Sequence, residues 1–266
     1  MTNPTAVLLT IDGMRSEALQ AAKCPNINGL SQKGAFTYHA QSVMPSITLP
    51  CFISIFHSIP PSRHGTPHNT FVPMARPVPG LVDVAHDFNK KSAFFYNWEP
   101  LRDLNYPLSL SFSLFKDNLY DGKDCDHFIV EQALFYIQDS AWDFVFIYLG
   151  SLDLTGHGHG FFSPEYTRQL EHLDSAVGKV LDWLPKETTL MLTSDHGGHE
   201  RTHGTESPDD MVIPWFMTGP NIRVGYEVAS PVCLLDIAPT LARLLDITPH
   251  PEWEGHCIEE AFKTEV

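Results

Sequence analysis

The sequence predicts an α/β fold in which helices cover both faces of a mostly parallel central sheet. Apolar runs mark the strands: residues 6–11 and 144–149 are almost entirely apolar, and residues 190–192 read Leu-Met-Leu. Such runs are typical of strands that are buried on both faces. Helical patterns lie between the runs, which favours a parallel sheet. Because 266 residues suit one large α/β domain, we expect a single domain over residues 1–266.

The individual elements follow from residue periodicity and from proline and glycine. Strands are predicted at residues 6–11, 35–43, 93–96, 144–149, from 188 onward and at 212–217. Helices are predicted at residues 25–33, 49–56, 82–89, 125–139, 165–184 and 234–245. Pro214 lies inside the last strand, which indicates either an edge strand or a bulge. Residues 60–79 are dense in Pro, His and Gly, and we expect an irregular loop there.

The composition narrows the classes of partner. The hydrophobic share of 43% and the charged share of 18% are those of a globular protein. The formal net charge of -15 argues against a nucleic-acid polymer or an anionic membrane as the main partner. An acidic protein can still bind an anionic small molecule if bound divalent metals reverse the local potential.

The cysteines and the N-terminus indicate the compartment. The five cysteines are scattered without CxxC spacing, so we expect reduced thiols rather than a disulfide framework or a thiolate zinc site. The first residues lack a basic region, and their apolar run is too short for a signal peptide. No segment has membrane-spanning length. We therefore expect a cytoplasmic protein.

Metal-ligating residue types follow the predicted strands. Asp12 follows the first strand, and the Asp195-His196 pair follows the strand that begins at Thr188. Asp153 and His157 follow residues 144–149 and are four positions apart, so a helical turn would place both on one face. Each residue alone is compatible with a turn or a cap, but carboxylates and imidazoles collected at strand ends indicate a metal site.

The sequence leaves one ligand open. His203 supplies a further imidazole shortly after the Asp195-His196 pair, and His199 competes with it for that role.

Thr48 is the candidate nucleophile. It directly precedes Leu49-Pro50, where a helix is predicted to begin, and backbone N–H groups at a helix N-terminus favour an anion. A simple helix cap is the alternative interpretation. A hydroxyl nucleophile needs a lowered pKa, which a coordinating metal can supply.

The order of these motifs resembles the alkaline phosphatase superfamily, and within it the type I phosphodiesterase/nucleotide pyrophosphatase group. The motifs are LLTIDGMR at 8–15, PSITLP at 45–50, RHG at 63–65, LDLTGHGHG at 152–160, SDHGG at 194–198, THG at 202–204, DIAPTLARLLDI at 236–247 and WEGHCI at 253–258. They extend over almost the whole chain. The resemblance implies an alkaline phosphatase-like fold and hydrolysis of phosphodiester or nucleotide pyrophosphate bonds in a small phosphorylated substrate.

The resemblance also implies roles for residues. It implies two divalent metal ions, usually zinc, with manganese as the alternative. One ion would be held by Asp12, Thr48, Asp195 and His196, and the other by Asp153, His157 and His203. Thr48 would attack phosphorus to give a phosphothreonine intermediate, which water then hydrolyses. Asn69 would donate a hydrogen bond to a nonbridging phosphoryl oxygen, which favours a diesterase.

Several alternatives stay open at the level of sequence. Cys51 stands where the pyrophosphatase group usually has Asn, which weakens the assignment to nucleotides. Residues around Cys51 lack the sulfatase signature, and the chain is too short for the inserted domain of cofactor-independent phosphoglycerate mutase. A phosphomonoesterase, a C–P hydrolase similar to phosphonoacetate hydrolase, and a metal-binding regulator without turnover remain. Five aromatic residues could form an apolar wall of the substrate pocket or belong to the core, which we favour: Phe71, Trp98, Tyr106, Phe112 and Phe115.

Overall fold

A single mixed sheet organises the chain. The computed structural model describes residues 5–117, 125–139 and 141–264, and within them eight strands form one sheet. The strands are β1 (Ala6–Ile11), β2 (Ala35–Gln41), β3 (Ser92–Tyr96), β4 (Phe112–Phe115), β5 (Phe144–Leu149), β6 (Thr189–Thr193), β7 (Val212–Thr218) and β8 (Tyr226–Glu227). Their order across the sheet is β4-β3-β5-β1-β6-β7-β2-β8.

Helices connect the strands. They are α1 (Ser16–Ala21), α2 (Pro25–Asn28), α3 (Leu30–Lys33), α4 (Thr48–His57), α5 (Pro61–His64), α6 (Leu81–Asp87), α7 (Cys125–Asp139), α8 (Ser151–His159), α9 (Pro164–Trp183), α10 (Pro208–Met211) and α11 (Ile237–Leu244). Short 3₁₀ turns lie at Glu99–Asp103, Leu234–Asp236 and Glu259–Ala261. In the described ranges, none of the helices combines the length and the apolarity that a membrane crossing needs.

Parallel pairing brings several strand ends to one edge of the sheet. Strands β4, β3, β5, β1 and β6 run parallel, whereas β7 is antiparallel to both of its neighbours. In this register Ile11 lies beside Leu149, and Thr10 lies beside Thr193. The residues that follow β1, β5 and β6 therefore emerge side by side. The mostly parallel sheet predicted from the sequence is confirmed.

Two apolar cores flank the sheet. On one face, α4, α6 and α11 pack against alternate residues of β1, β3 and β5. On the other face, α1, α2, α7 and α9 pack against the remaining residues of the same strands. Because both faces of the central strands are buried, these strands are apolar at almost every position, with Thr10 and Ser92 as buried exceptions. The predicted helical cover on both faces is confirmed.

Proline and glycine account for the main differences from the predicted elements. Strand β7 lies between β6 and β2, so of the two alternatives predicted from Pro214 the edge strand is wrong and the bulge is confirmed. Pro214 instead faces a bulge in β2, where the pairing shifts between Thr37 and Ala40, and a residue without an N–H is tolerated there. Gly29 divides the predicted helix at 25–33 into α2 and α3, and the predicted loop at 60–79 contains α5.

The aromatic cluster beneath β5 makes a first prediction. Phe146 is fully buried and its ring lies 5.1 Å from that of Phe56 and 4.9 Å from that of Phe94, between centroids. Phe146→Ala should lower the free energy of unfolding by about 3–5 kcal/mol, because the cavity cannot collapse. Urea denaturation checks this, with Phe135→Ala as the control, since Phe135 is 59% exposed. Equal losses for the two variants would contradict the packing described here.

Candidate active site

The structure brings the predicted metal-ligating side chains together at the carboxyl edge of the sheet. They are Asp12, Thr48, Asp153, His157, Asp195, His196 and His203. Asp12 directly follows β1, and Asp195 and His196 follow β6. Helix α8 follows β5 and carries Asp153 and His157, which confirms the helical turn expected from their spacing.

A first group of ligand atoms surrounds the imidazole of His196. Its Nε2 lies 3.3 Å from Asp12 Oδ1, 3.3 Å from Asp195 Oδ2 and 3.2 Å from Thr48 Oγ1. The ligand atoms of Asp12, Asp195 and His196 lie within 4.8 Å of one another. Two carboxylates, one imidazole and one hydroxyl form a donor set that suits zinc or manganese.

A second group lies next to the first. His157 Nε2 is 3.3 Å from Asp153 Oδ2 and 3.2 Å from His203 Nε2, and His203 Nε2 is 3.7 Å from Asp153 Oδ1. The rings of His203 and His196 stack with their centroids 3.8 Å apart. The ligand atoms of Asp153, His196 and His203 also lie within 4.8 Å of one another. The two groups therefore adjoin at His196.

Backbone carbonyls fix the orientation of all three imidazoles. Nδ1 donates to the carbonyl of Gly197 in His196 (2.8 Å), of Arg201 in His157 (2.9 Å) and of Ser46 in His203 (2.8 Å). Since a carbonyl only accepts, each Nδ1 carries a proton and each Nε2 faces the site. The hydrogen bond to Asp153 raises the pKa of His157 to about 9, so a cation would displace a proton from its Nε2. Histidines that bind metals are oriented in this way.

The carboxylates provide an independent sign that this site binds cations. Asp12 Oδ1, Asp153 Oδ1 and Asp195 Oδ2 are buried, and none of them has a hydrogen-bond partner among the described residues. Buried oxygens without partners are costly and rare in native proteins. Burial, together with the charge of Asp153, raises the pKa of Asp195 to about 7. Burial and the charge of Asp195 raise the pKa of Asp12 well above its usual value. Divalent cations would satisfy these oxygens, so the residues fit the implied metals.

The structure separates the two competing histidines. His203 points into the second group, where burial and the neighbouring His196 lower its pKa to about 4, so the ring is neutral as metal binding requires. His199 points elsewhere, and its Nδ1 lies 2.7 Å from Asp210 Oδ1. His203, and not His199, is therefore the histidine in position to be a ligand.

Thr48 is the first residue of α4, which confirms the predicted helix start. The cap position itself is Ile47, and the Thr48 hydroxyl contacts His196 instead of capping the helix. Asn69 accepts a hydrogen bond from the backbone N–H of Leu49 through Oδ1 at 2.9 Å. Because this bond fixes the Oδ1 atom, the Nδ2 atom of Asn69 is the part of the side chain that can donate to a substrate. Both Thr48 and Asn69 line the pocket that also contains Asp12 and Asp153.

Some residues of the site were not predicted. The Tyr148 hydroxyl donates to Asp12 Oδ2, which leaves only Oδ1 of that carboxylate for a cation. The carboxylate of Asp126 is fully buried and accepts hydrogen bonds from the N–H groups of Gly150 and Ser151, so it holds the turn that leads into α8. Nothing in the local pattern marks the role of Asp126. A lone polar group in an otherwise apolar strand, such as the hydroxyl of Tyr148, was the available signal.

The five aromatic residues have different environments. Trp98 lines the pocket, and it is the one member of the set that does so in the described part of the chain. Phe112 packs against Tyr136, with ring centroids 4.9 Å apart. Phe71, Tyr106 and Phe115 are exposed, so the favoured interpretation as core residues is wrong for these three. Part of the flanking segment, residues 118–124, lies outside the described residues.

Comparison with solved structures identifies the fold. The chain superposes on a 2-O GAG sulfatase with a TM-score of 0.79 over 100% of this chain and 76% of the sulfatase, at 14% sequence identity. The fold is therefore alkaline phosphatase-like, as the motifs predicted.

Comparison with protein families identifies the group within that fold. The model of the type I phosphodiesterase/nucleotide pyrophosphatase family matches residues 6–105 and 76–211. The chain belongs to this family, within the alkaline phosphatase superfamily.

Curated relatives are distant and much longer. The chain is 26% identical to the ectonucleotide pyrophosphatase/phosphodiesterase family member 1 of Rattus norvegicus over 223 residues, which are 73% of this chain and 24% of the relative. It is 26% identical to the catalytic subunit of GPI ethanolamine phosphate transferase 3 of Mus musculus over 154 residues, 56% of this chain and 14% of the relative. A phosphopentomutase of Clostridium kluyveri is 25% identical over 118 residues, 44% of this chain and 30% of the relative. The chain thus spans less than a third of these relatives.

The buried carboxylates predict a pH-dependent stability of the metal-free protein. Because the pKa of Asp195 is raised from 3.8 to about 7 on folding, the folded state binds this proton more tightly than the unfolded state. Binding of this proton adds to the free energy of unfolding below pH 4, and this stabilisation is lost as the pH rises towards 7. Asp195→Asn should therefore stabilise the chelator-treated protein at pH 8, by up to about 4 kcal/mol, and have little effect at pH 4.

Urea denaturation at the two pH values measures the difference. Asp182→Asn is the control, since Asp182 is an exposed carboxylate on α9. If Asp195→Asn destabilised the protein equally at both pH values, the carboxylate would not be held in an unfavourable environment.

Proposed function

We propose that the chain is a divalent-metal-dependent hydrolase of phosphodiester or nucleotide pyrophosphate bonds that works through a phosphothreonine intermediate on Thr48. One observation carries the proposal: the Thr48 hydroxyl lies 3.2 Å from His196 Nε2, at the meeting point of two adjoining groups of ligand atoms. Membership of the type I phosphodiesterase/nucleotide pyrophosphatase family supports the reaction class. The covalent step is our inference from the position of Thr48.

Each ligand group would hold one cation. Asp12, Asp195, His196 and Thr48 would hold the first; Asp153, His157 and His203 would hold the second. Bound divalent cations would lower the pKa of the Thr48 hydroxyl and offset negative charge on the phosphoryl oxygens. We propose zinc, because three imidazoles and carboxylate oxygens suit it, with manganese as the alternative.

The protein's own residues define the chemical steps. The Thr48 hydroxyl gives up its proton to solvent as Oγ1 forms a bond to phosphorus. The bond from phosphorus to the leaving oxygen breaks on the opposite side, and that oxygen takes up a proton from solvent. The amide nitrogen of Asn69 would donate to a nonbridging oxygen, whose negative charge grows in the transition state. Water then attacks phosphorus, and the bond to Thr48 breaks to regenerate the hydroxyl. Each step inverts phosphorus, so the overall configuration is retained.

The pocket suits a small substrate. Its empty volume is about 500 Å³, with the open solvent at its mouth included. Trp98, Tyr148 and Leu154 supply apolar surface. Together with the net charge of -15, this favours a small phosphorylated molecule over a nucleic-acid polymer.

Replacement of the nucleophile gives the most direct prediction. Thr48→Ala should reduce hydrolysis of bis-p-nitrophenyl phosphate by the metal-loaded protein to background, because no hydroxyl is left to attack phosphorus. Thr48→Ser should retain part of the rate, since it keeps the hydroxyl. Cys51→Ala is the control, because burial raises the pKa of this thiol far above neutrality. Activity that survives in Thr48→Ala would exclude the covalent mechanism.

The role proposed for Asn69 leads to a prediction about substrate preference. Wild-type protein should hydrolyse bis-p-nitrophenyl phosphate faster than p-nitrophenyl phosphate. Loss of one preorganised donor in Asn69→Ala should lower kcat for the diester by about 100-fold or more. His68→Ala, at the neighbouring exposed position, should leave kcat unchanged. If the wild type hydrolysed the monoester faster, a phosphomonoesterase would be favoured. If it hydrolysed neither substrate, C–P hydrolysis or a regulator without turnover would be favoured.

A further inference from the structure

Asp210 is a buried carboxylate that belongs to neither ligand group. It lies on the short helix α10, and it is fully buried. Its Oδ1 lies 2.7 Å from His199 Nδ1, and its Oδ2 accepts from the N–H of Thr205 at 2.9 Å and from the Thr205 hydroxyl at 2.7 Å. All three donors belong to residues 197–205, which we call the His203 loop. One carboxylate therefore ties an early and a late position of this loop together.

Backbone bonds hold the start of the His203 loop to the same helix. The carbonyl of Asp210 accepts from the N–H of Gly197 at 2.8 Å, and the carbonyl of Asp209 accepts from the N–H of Gly198 at 2.8 Å. A Cβ atom at Gly197 would lie 2.1 Å from the carbonyl oxygen of Asp209, so this close approach requires glycine. These bonds do not involve the carboxylate, and they fix the loop next to Asp195 and His196.

The rest of the loop has few supports of its own. His199 and Thr202 exchange two backbone hydrogen bonds of 2.9 Å across a tight turn, in which Glu200 has a φ of 49°. Gly204 has a φ of 107°, so the chain turns again directly after His203. Glu200 and Gly204, which flank His203, both have left-handed backbone conformations, and such a loop needs external contacts to keep one conformation. The N–H of Phe161, which donates to the carbonyl of Glu200 at 2.7 Å, is one such contact, and the Asp210 carboxylate supplies those at His199 and Thr205.

Two ligands of the second group depend on this loop. His203 is part of it, and the carbonyl of Arg201 orients His157 by accepting from Nδ1 at 2.9 Å. Ser46 also holds this loop. Its hydroxyl donates to the carbonyl of Thr205 at 2.9 Å, and its carbonyl accepts from His203 Nδ1 at 2.8 Å. By contrast, Asp12 and Asp195 of the first group directly follow strands of the sheet.

We propose that Asp210 is a positioning residue that sets the affinity for the second cation, with His199 as its partner. The inference rests on the proposed two-cation site and assigns to this site a residue that touches neither cation nor substrate. Without the carboxylate, the His203 loop keeps its backbone anchor at Gly197 and its contacts with Ser46, but it loses the side-chain bonds that Asp210 makes to His199 and Thr205. His203 and the carbonyl that orients His157 are then held by fewer contacts. Changes to residues that orient metal ligands typically weaken metal binding by about 10- to 100-fold.

Zinc titration of chelator-stripped protein, in competition with a chromophoric chelator, tests the proposal without measuring activity. Wild-type protein should bind two equivalents of Zn²⁺. Asp210→Ala should bind the second equivalent about 10- to 100-fold more weakly and the first with little change. In the His157→Ala background, Asp210→Ala should cause little further loss, because both changes act on the same cation.

Matched variants separate positioning from general destabilisation. Asp174→Asn alters another buried carboxylate, which accepts from the N–H groups of Asn26 and Ile27 and joins α2 to α9. It should lower the melting temperature but leave both zinc affinities unchanged. His199→Ala should weaken the second equivalent in a folded protein even if Asp210→Ala does not fold. His199→Asn, which keeps a donor near Nδ1, should restore it.

The outcomes distinguish this inference from the proposed function. If the wild type binds two equivalents and the Asp210 and His199 variants bind both with unchanged affinity, the positioning role is wrong while the two-cation site stands. The same conclusion follows if Asp174→Asn weakens the second equivalent as much as Asp210→Ala. If the wild type binds fewer than two equivalents, the two-cation site and the inference that rests on it are both wrong.

Discussion

Three buried carboxylates, collected at one edge of the sheet, are the constraint on which the rest of the site depends. Each of Asp12, Asp153 and Asp195 has one buried oxygen without a hydrogen-bond donor among the described residues. Carboxylates this close repel one another, and burial increases the cost of their charges. The surrounding fold has to hold them together against this repulsion. It does so by placing them at the ends of parallel strands and in the first turn of α8.

The sheet positions the carboxylates of the site, and backbone carbonyl groups orient its histidines. Parallel register aligns the ends of β1, β5 and β6, so carboxylates from three distant parts of the sequence meet without long loops. The imidazoles come from less regular backbone, and carbonyl oxygens hold their Nδ1 atoms at 2.8–2.9 Å. Strands thus provide position, and backbone carbonyls provide orientation. The stability lost by collecting like charges is offset by the two cores on either side of the sheet.

The sequence predicted what depends on local pattern and missed what depends on distant contacts. The central strands could be recognised because burial on both faces makes them almost entirely apolar, whereas the edge strand β4 pairs on one side and carries no such signal. Pro214 indicated an irregularity but not that the bulge lies in the neighbouring β2. Ligands at strand ends were predicted, while Tyr148, which contacts a residue 136 positions away, was not. The roles of the ligands, the single-domain organisation and the cytoplasmic location stay predictions.

Anomalous diffraction from crystals grown with zinc would test the central claim most directly, namely that the orphaned carboxylate oxygens and the three Nε2 atoms bind two cations. We predict two peaks at the zinc edge. One should lie between Asp12, Asp195 and His196, next to the hydroxyl of Thr48, and the other between Asp153, His157 and His203. A single peak, or peaks only at other positions, would contradict a two-cation site at this edge of the sheet.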